Sequence, residues 1–312
     1  MAYSQGGLIA ATDYNTFVGT SPSSTPNQIN TVWAVGSGYV GYGQTSITQV
    51  SSTGLVTATQ WATAVNALNS IRTHQTGTGT GIGAPTSGSL ITYLSTFSSS
   101  ITSAYTNAAS FNSQGTTVTG SVFNASVTAT NGTAYPETTI LTRTMTFGSG
   151  DQARYFFNAG GQLNFVVTGV TNNDNTQRSA DAITTMLTNF GGVSAFRANT
   201  NGGRTGTGGT VTTNNTAVGY YNLSTSVQNT QYIASANVTY NADFTRFYVS
   251  SNGTNLAGHN DAGSAVIFQL NYASTHAGSF NDTLNVTVGH RVDVIYPETT
   301  NLANTWGAVV IS

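Results

Sequence analysis

The chain has 312 residues, ten acidic and eight basic side chains, no lysine and no cysteine, which gives a formal charge of −2. Disulfides and thiolate metal sites are therefore excluded, and the scattered arginines leave no basic footprint for nucleic acid. Only 6% of residues are charged, far below the roughly 25% of ordinary soluble domains, so Thr, Ser, Asn and Gln must wet the exterior. The 14 Phe and 15 Tyr argue for packed cores and against a solvated coil. A neutral hydroxyl and amide surface suits close subunit packing and extracellular exposure. The start Met-Ala-Tyr-Ser-Gln-Gly-Gly lacks the basic and apolar regions of a secretory signal, and no segment reads as a membrane span. The expectation is assembly inside a host followed by release on lysis.

Residues 1–50 mix aromatics with glycine: Tyr14, Phe17 and Trp33, then Tyr39 and Tyr42 within Gly36 to Gln44. Pro22 and Pro26 predict an extended arm with turns, its aromatics plugging a core or forming a contact surface for a ligand. Residues 51–112 predict a helical hairpin. Its first helix runs from Thr57 to about Gln75, with Trp61, Val65, Leu68 and Ile71 on one face, Thr57 or Thr59 as cap and Gly77 as terminator. A Gly/Thr loop from Thr76 to Gly88 leads to the second helix, carrying Leu90, Leu94, Phe97, Ile101 and Tyr105 behind a cap at Ser87 or Ser89. His74 reads as a dipole or capping group in the last turn of the first helix.

A boundary near residues 110–116 opens an antiparallel β domain over residues 113–312. Val118, Val122 and Val127 belong to strand-like runs broken at Gly120 and Asn131-Gly132, and Ile140 to Phe147 continues the series. The stretch Ala153 to Val167 predicts a β-hairpin about Asn158-Ala159-Gly160-Gly161, its second arm placing Leu163, Phe165 and Val167 on one face. A short helix is expected over Arg178 to Phe190, stopped by Gly191-Gly192, followed by a polar surface loop from Asn199 to Gly209. Strands are expected over Tyr232 to Tyr240, Phe244 to Val249, Ala265 to Tyr272, Leu284 to Ile295 and Trp306 to Ile311. The fold class is mainly β with a small α part: an antiparallel sandwich or jelly-roll-like domain preceded by an arm and a helical hairpin.

One internal repeat stands out. Tyr135-Pro136-Glu137-Thr138-Thr139 reappears as Tyr296-Pro297-Glu298-Thr299-Thr300, and these copies hold the only two glutamates. A repeated strand-exit corner, with each Glu accepting turn amides, explains the duplication; an acid and base pair flanking a glycosidic bond is the chemical alternative. Asn172-Asn173-Asp174-Asn175 is rich in oxygen but lacks the glycine and terminal carboxylate of an EF-hand loop. His259 with Asp261, His276, and His290 with Asp293 do not have metal-site spacing. No nucleophile elbow, Walker or dinucleotide fingerprint occurs, and Asn-x-Thr sequons such as Asn252-Gly253-Thr254 follow from composition. No catalytic, cofactor-binding or metal residue is assigned, and no cofactor is expected.

The run Ala11-Thr12-Asp13-Tyr14-Asn15, then Thr31 to Gly38 leading to Gly41-Tyr42-Gly43-Gln44, resembles uncharacterised virion structural proteins of tailed phages, those of marine cyanobacteria among them. The likeness continues through Trp61 and His74, Arg154 to Gly161, and the Tyr-Pro-Glu-Thr-Thr ending. It implies a particle component of the tail, neck, fibre or capsid-decoration set without saying which, and carries over no active residues; a non-enzymatic virion subunit is the leading expectation, and the uncharged Thr/Ser/Asn faces with the aromatic arm predict a homo-oligomer. Its partners would be copies of itself, other virion proteins and a host-surface glycan, with no nucleic acid and no membrane insertion. A receptor- or carbohydrate-binding module that stacks ligands on Tyr39 and Tyr42 is one alternative, and a glycan-cleaving tailspike using Glu137, Glu298 or an Asp pair is another.

Overall fold

The computed structural model describes residues 10–36, 40–129, 135–255, 263–274 and 282–312. The protein is mainly β, with two antiparallel sheets and a smaller helical part. The helices near the N-terminus are α1 (Ala11–Val18), α2 (Ile29–Trp33), α3 (Ala58–Thr76) and α4 (Leu94–Thr106). The strands that follow are β1 (Gln114–Val118), β2 (Phe123–Ala129) and β3 (Tyr135–Thr146), then, after helix α5 (Gly150–Asn158), β4 (Gln162–Asn172). Helix α6 (Gln177–Asp181) runs through a π-helical turn (Ala182–Leu187) to Phe190. The remaining strands are β5 (Gly192–Phe196), β6 (Thr210–Asn214), β7 (Gln228–Ala234), β8 (Asp243–Ser251), β9 (Ala265–Ser274), β10 (Leu284–Pro297) and β11 (Val310–Ile311).

One sheet runs β1-β10-β4-β5, with β2 in line with β1 along the same edge of β10; the other runs β11-β3-β9-β8-β7-β6. They meet through aromatic side chains. Phe165 of β4 lies 4.9 Å from Phe247 of β8 and Phe196 of β5 lies 5.4 Å from Phe268 of β9, ring centre to ring centre. Leu163 and Phe165 are buried as the period of two predicts, while Val167 is only half-buried. The sandwich core therefore sits on β4, β8 and β9.

The helices pack about Trp61 of α3, which touches Tyr14, Phe17 and Phe97 at 5.2–6.0 Å and donates its indole N–H to Tyr93 Oη at 2.9 Å. The start of α3 is a capping box: Thr57 Oγ1 accepts from Gln60 N–H at 3.2 Å, and Gln60 Oε1 accepts from Thr57 N–H at 2.9 Å. Gly77 ends it at φ 79°, a left-handed position that glycine occupies without penalty.

Several expectations change. The residues expected as the first arm of the hairpin form α5, which Ser149 caps through Gln152 N–H at 3.1 Å. Residues Ala153 to Asn158 are all buried, so neither helical nor strand periodicity survives in their pattern. The arm is not simply extended: Pro22 and Pro26 fall between α1 and α2 and delimit them. Tyr14, Phe17 and Tyr42 plug the core as expected, whereas Tyr39 lies outside the described residues, as do Asn131-Gly132. Helix α4 begins at Leu94 behind Tyr93, leaving Leu90 60% exposed and Ser87 and Ser89 unused as caps. Strand β7 stops at Ala234, because Ser235 Oγ and Asn237 Oδ1 accept from the amides of Asn237 and Thr239 and turn the chain, leaving Val238 87% exposed. The last strand is confined to Val310–Ile311, and Trp306 precedes it in a loop. Within the polar loop 199–209, Asn201 is buried, its amide donating to the carbonyls of Asn215 and Val218 at 2.9 and 3.0 Å.

The aromatic seam sets a contrast in stability. Phe165→Ala should destabilise the fold by about 3–5 kcal/mol, whereas Val238→Ala should change it by less than about 0.5 kcal/mol. Urea unfolding of both variants checks this; equal effects would remove Phe165 from the centre of the core.

Candidate functional site

Several of the chain's few ionisable groups are built into joints between elements. Glu298 follows β10 and folds back under its own turn, Oε2 accepting from the amides of Thr300 at 2.6 Å and Asn301 at 3.1 Å. Its Oε1 accepts from Asn301 Nδ2 at 3.1 Å and from His74 Nδ1 at 2.9 Å. His74, 1% exposed, thereby ties the last turn of α3 to the C-terminal segment. Burial lowers the affinity of His74 for a second proton, against the opposing pull of Glu298. Burial alone would raise the Glu298 pKa, but hydrogen bonds from His74, Asn301 and the turn amides together bring it below the usual carboxylate value. The joint is thus a neutral imidazole donating to a carboxylate. Its Nε2 has no partner among the described residues, so a second proton there would be a buried, unmatched donor.

The same seam carries a neutral set of bonds. Gln44 Nε2 donates to Ala303 O and Gln44 Oε1 accepts from Ala303 N–H, both at 2.9 Å, and Thr305 Oγ1 donates to Tyr42 O at 2.6 Å. The Tyr42 hydroxyl, donating to Ala108 O at 2.9 Å and accepting from Gln75 Nε2 at 3.1 Å, is fully buried and unavailable as a stacking platform.

Glu137 behaves differently from its repeat partner. It lies inside β3 rather than at a strand exit, accepting from Arg246 Nη1 at 2.6 Å, Tyr248 Oη at 2.7 Å and Asn271 Nδ2 at 3.2 Å. The guanidinium of Arg246 stacks 4.7 Å from the ring centres of both Tyr232 and Phe244. Glu137 lies within β3 of one sheet and Glu298 just past the end of β10 of the other, and they share no partner, so the structure does not bring them together as an acid and base pair.

Two buried aspartates do come close enough to feel each other's charge. Asp243 accepts from Arg178 Nε at 3.1 Å and from the Tyr272 hydroxyl, and Asp181 accepts from Ser235 Oγ at 2.7 Å. Burial raises the Asp181 pKa, with the Asp243 charge adding to it. At 2% and 1% exposure the pair fastens α6 to β8 and β9 and is closed to a substrate. The sequence held no signal for this cluster, because Arg178 and Asp181 lie 65 and 62 residues from Asp243 and meet it only in the fold.

The remaining candidates are structural. Asn172 Oδ1 accepts from the amides of Asp174 and Asn175, and Asp174 accepts from Thr176 and from Thr283 just before β10, so the loop's oxygens are taken up by the loop itself and by that neighbouring segment. His290 is buried between the rings of Phe123 and Phe165, and burial lowers its pKa. Asp293, three residues along β10 and hence on the other face, accepts from Arg291 Nε at 2.8 Å and Gly120 N–H at 3.1 Å. His259, Asp261 and His276 lie outside the described residues. Among the described residues no group of three or more potential ligands is placed to hold a metal, and no helix is long and apolar enough to cross a membrane.

Thr73 to Pro136, which supplies α4, β1 and β2, contains no Asp, Glu, Lys or Arg. Strand β1 is exposed along its whole length and pairs only with β10; Val118 just beside the bend to β2 is 48% exposed and Val122 is 55% exposed. In the other sheet β6, Thr210–Asn214, pairs only with β7 and presents Val211 at 44% exposure. The opposite end of the first sheet is covered, because β5 takes backbone bonds from the loop through Gly202, Gly203 and Thr205. Thus β1 and β6 are uncharged, uncovered edges, the kind that single-chain proteins normally guard with lysine or other charges. The chain matches no protein-family model, no curated protein and no solved structure.

The two glutamates should separate on substitution. Glu298→Gln should cost about 1.5–3 kcal/mol, as expected for charge-assisted bonds to buried groups, and Glu137→Gln less than about 1 kcal/mol in its half-exposed setting. Because folding lowers the His74 pKa, the unfolded chain takes up that proton first as pH falls. The stability from this group is complete above about pH 6.5 and is lost below it. His74→Gln should therefore flatten the stability profile between pH 7 and 5, leaving the share due to His290; an unchanged profile would contradict a neutral buried imidazole.

Proposed function

We propose that this chain is a non-enzymatic structural subunit of a tailed-phage virion, a component of the tail-fibre or appendage, neck or decoration set that forms symmetric homo-oligomers. The observation that carries this reading is the division of labour among its polar groups. Every described carboxylate except Asp13 accepts a hydrogen bond from within the chain, while the open edges β1 and β6 carry no charge at all. Asp13 sits in the first turn of α1, where a helix N-terminus favours an anion.

A protein built this way has its ions committed to rigidity and its neutral surfaces free for contact. Unpaired strand edges bind other strands through backbone hydrogen bonds, and a surface without charge repulsion lets equivalent copies approach closely. A second copy is the natural partner, since closed symmetric assemblies reuse one patch on each subunit. The virion setting rests on the resemblance of the N-terminal run, the Arg154 to Gly161 stretch and the Tyr-Pro-Glu-Thr-Thr ending to phage structural proteins.

Light scattering or native mass spectrometry of the full chain should give an integral multiple of 32.3 kDa. Thr116→Lys and Thr212→Lys, each placing a lysine on an exposed edge strand, should shift the population toward single chains without lowering the unfolding temperature. Virions washed in high salt should retain the chain at a fixed copy number. A single chain at every concentration, or loss from particles on washing, would defeat the reading.

A further inference from the structure

The three tryptophans differ in one respect. Trp33 donates its indole N–H to Thr45 O and Trp61 donates to Tyr93 Oη, both at 2.9 Å. Trp306 is as deeply buried as Trp61, at 1% exposure, but its indole N–H makes no hydrogen bond to a described residue and is not among the polar atoms sealed from solvent without a partner, so this donor opens toward the cleft that Trp306 lines. An indole N–H is a donor only, free there to bond water or a ligand oxygen.

Trp306 lines an open cleft of about 400 Å³ between the start of β1, the end of β10 and the loop before β11. That volume falls at the small end of the roughly 300–1,000 Å³ typical of ligand sites and suits a mono- or disaccharide. The second copy of the Tyr-Pro-Glu-Thr-Thr repeat forms one wall. There Glu298 turns inward to bind His74 and its own turn, so that Tyr296 and Thr299 are left on the cleft side. The Tyr296 hydroxyl accepts from Val309 N–H at 3.0 Å and keeps its own proton unspent among the described residues. The Thr299 and Thr116 hydroxyls make no side-chain hydrogen bond there, and Asn304 uses only its Oδ1, accepting from Gly307 N–H at 2.8 Å. No ionisable carboxylate or guanidinium lines the cleft.

We infer that this cleft binds a neutral saccharide unit, with the Trp306 indole N–H and the Tyr296 hydroxyl donating to ligand oxygens and Thr116, Thr299 and Asn304 exchanging hydrogen bonds with ring hydroxyls. The combination selects against its competitors. An anionic ligand finds no cation, and a purely apolar one would leave the Trp306 donor unmatched. The cleft shares Thr116 with the β1 edge of the structural-subunit reading, so the variants that test it are placed at Trp306, Thr299 and Asn304, outside that edge.

Isothermal titration of the full chain with D-glucose, D-galactose, N-acetyl-D-glucosamine and maltose tests it. At least one should bind once per chain with a Kd in roughly the millimolar range, as expected for a ligand of this size. Trp306→Phe, which keeps the ring and removes the donor, should weaken binding about fivefold, the effect of one hydrogen bond. Because Trp306 is buried, Thr299→Val and Asn304→Ala serve as surface variants that leave the core intact, and each should also weaken the same sugar. Binding by none of the four sugars, binding unchanged in all three variants, or preferential binding of D-glucuronate or of a proline-rich peptide would each overturn the inference.

Discussion

Moving an ion out of water costs several kcal/mol unless the site supplies a counter-charge and enough hydrogen bonds, and this constraint organises the protein. A chain with so few charges could have left them all in solvent. Instead His74 and Glu298, and Arg178 and Asp243, are drawn into seams between elements and matched there. Each match fixes an orientation that apolar contacts alone leave loose. The carboxylate of Glu298 receives two turn amides, an Asn amide and an imidazole, so the C-terminal turn and α3 can meet in only one register. The helices and the sandwich are consequently joined by a specific polar contact as well as by packing, and the Gln44 and Ala303 bonds extend the same seam.

The sequence was most informative where one face is buried and one is wet. Helix α3 is legible because Trp61, Val65, Leu68 and Ile71 alternate with polar residues and because Thr57, Gln60 and Gly77 are local stop and start chemistry. The Leu163 and Phe165 face of β4 is legible for the corresponding reason at period two. Helix α5 is not, since every residue from Ala153 to Asn158 is buried and the aromatic run Tyr155-Phe156-Phe157 has the composition of a strand. Helix α2 spans only Ile29–Trp33, too short for any period to register. The Tyr232 to Tyr240 alternation failed for the opposite reason: the period continues past Ala234, but Ser235 and Asn237 offer the backbone a turn that outcompetes the ladder.

For the polar groups, legibility followed sequence distance. The inward turn of Glu298 was readable because its amide partners are two and three residues away. Its bond to His74, 224 residues distant, was not, nor was the Arg178, Asp243 and Tyr272 cluster. The repeat shows the limit of motif reasoning. Identical Tyr-Pro-Glu-Thr-Thr segments enter different surroundings, one at the end of β10 beside α3 and one inside β3 beside Arg246, and their carboxylates acquire different partners and different burial.

The open edges constrain what an assembly can look like. Pairing of β1 with β1 of a second copy, antiparallel, is isologous and closes at two subunits, whereas pairing of β1 with β6 is heterologous and continues until rotation closes a ring or forms a filament. Both edges satisfy their backbone groups equally well, so hydrogen bonding alone does not choose between them. Side chains do: Val118 on β1 and Val211 on β6 are the exposed apolar residues of the two edge strands, and each lies at 44–48% exposure. A β1 to β6 contact would bury both on every subunit at once and leave neither edge unpaired inside a closed ring, while a β1 to β1 dimer would leave β6 uncovered. For the homo-oligomer proposed above, burial of both valines on every subunit therefore favours a ring over a dimer.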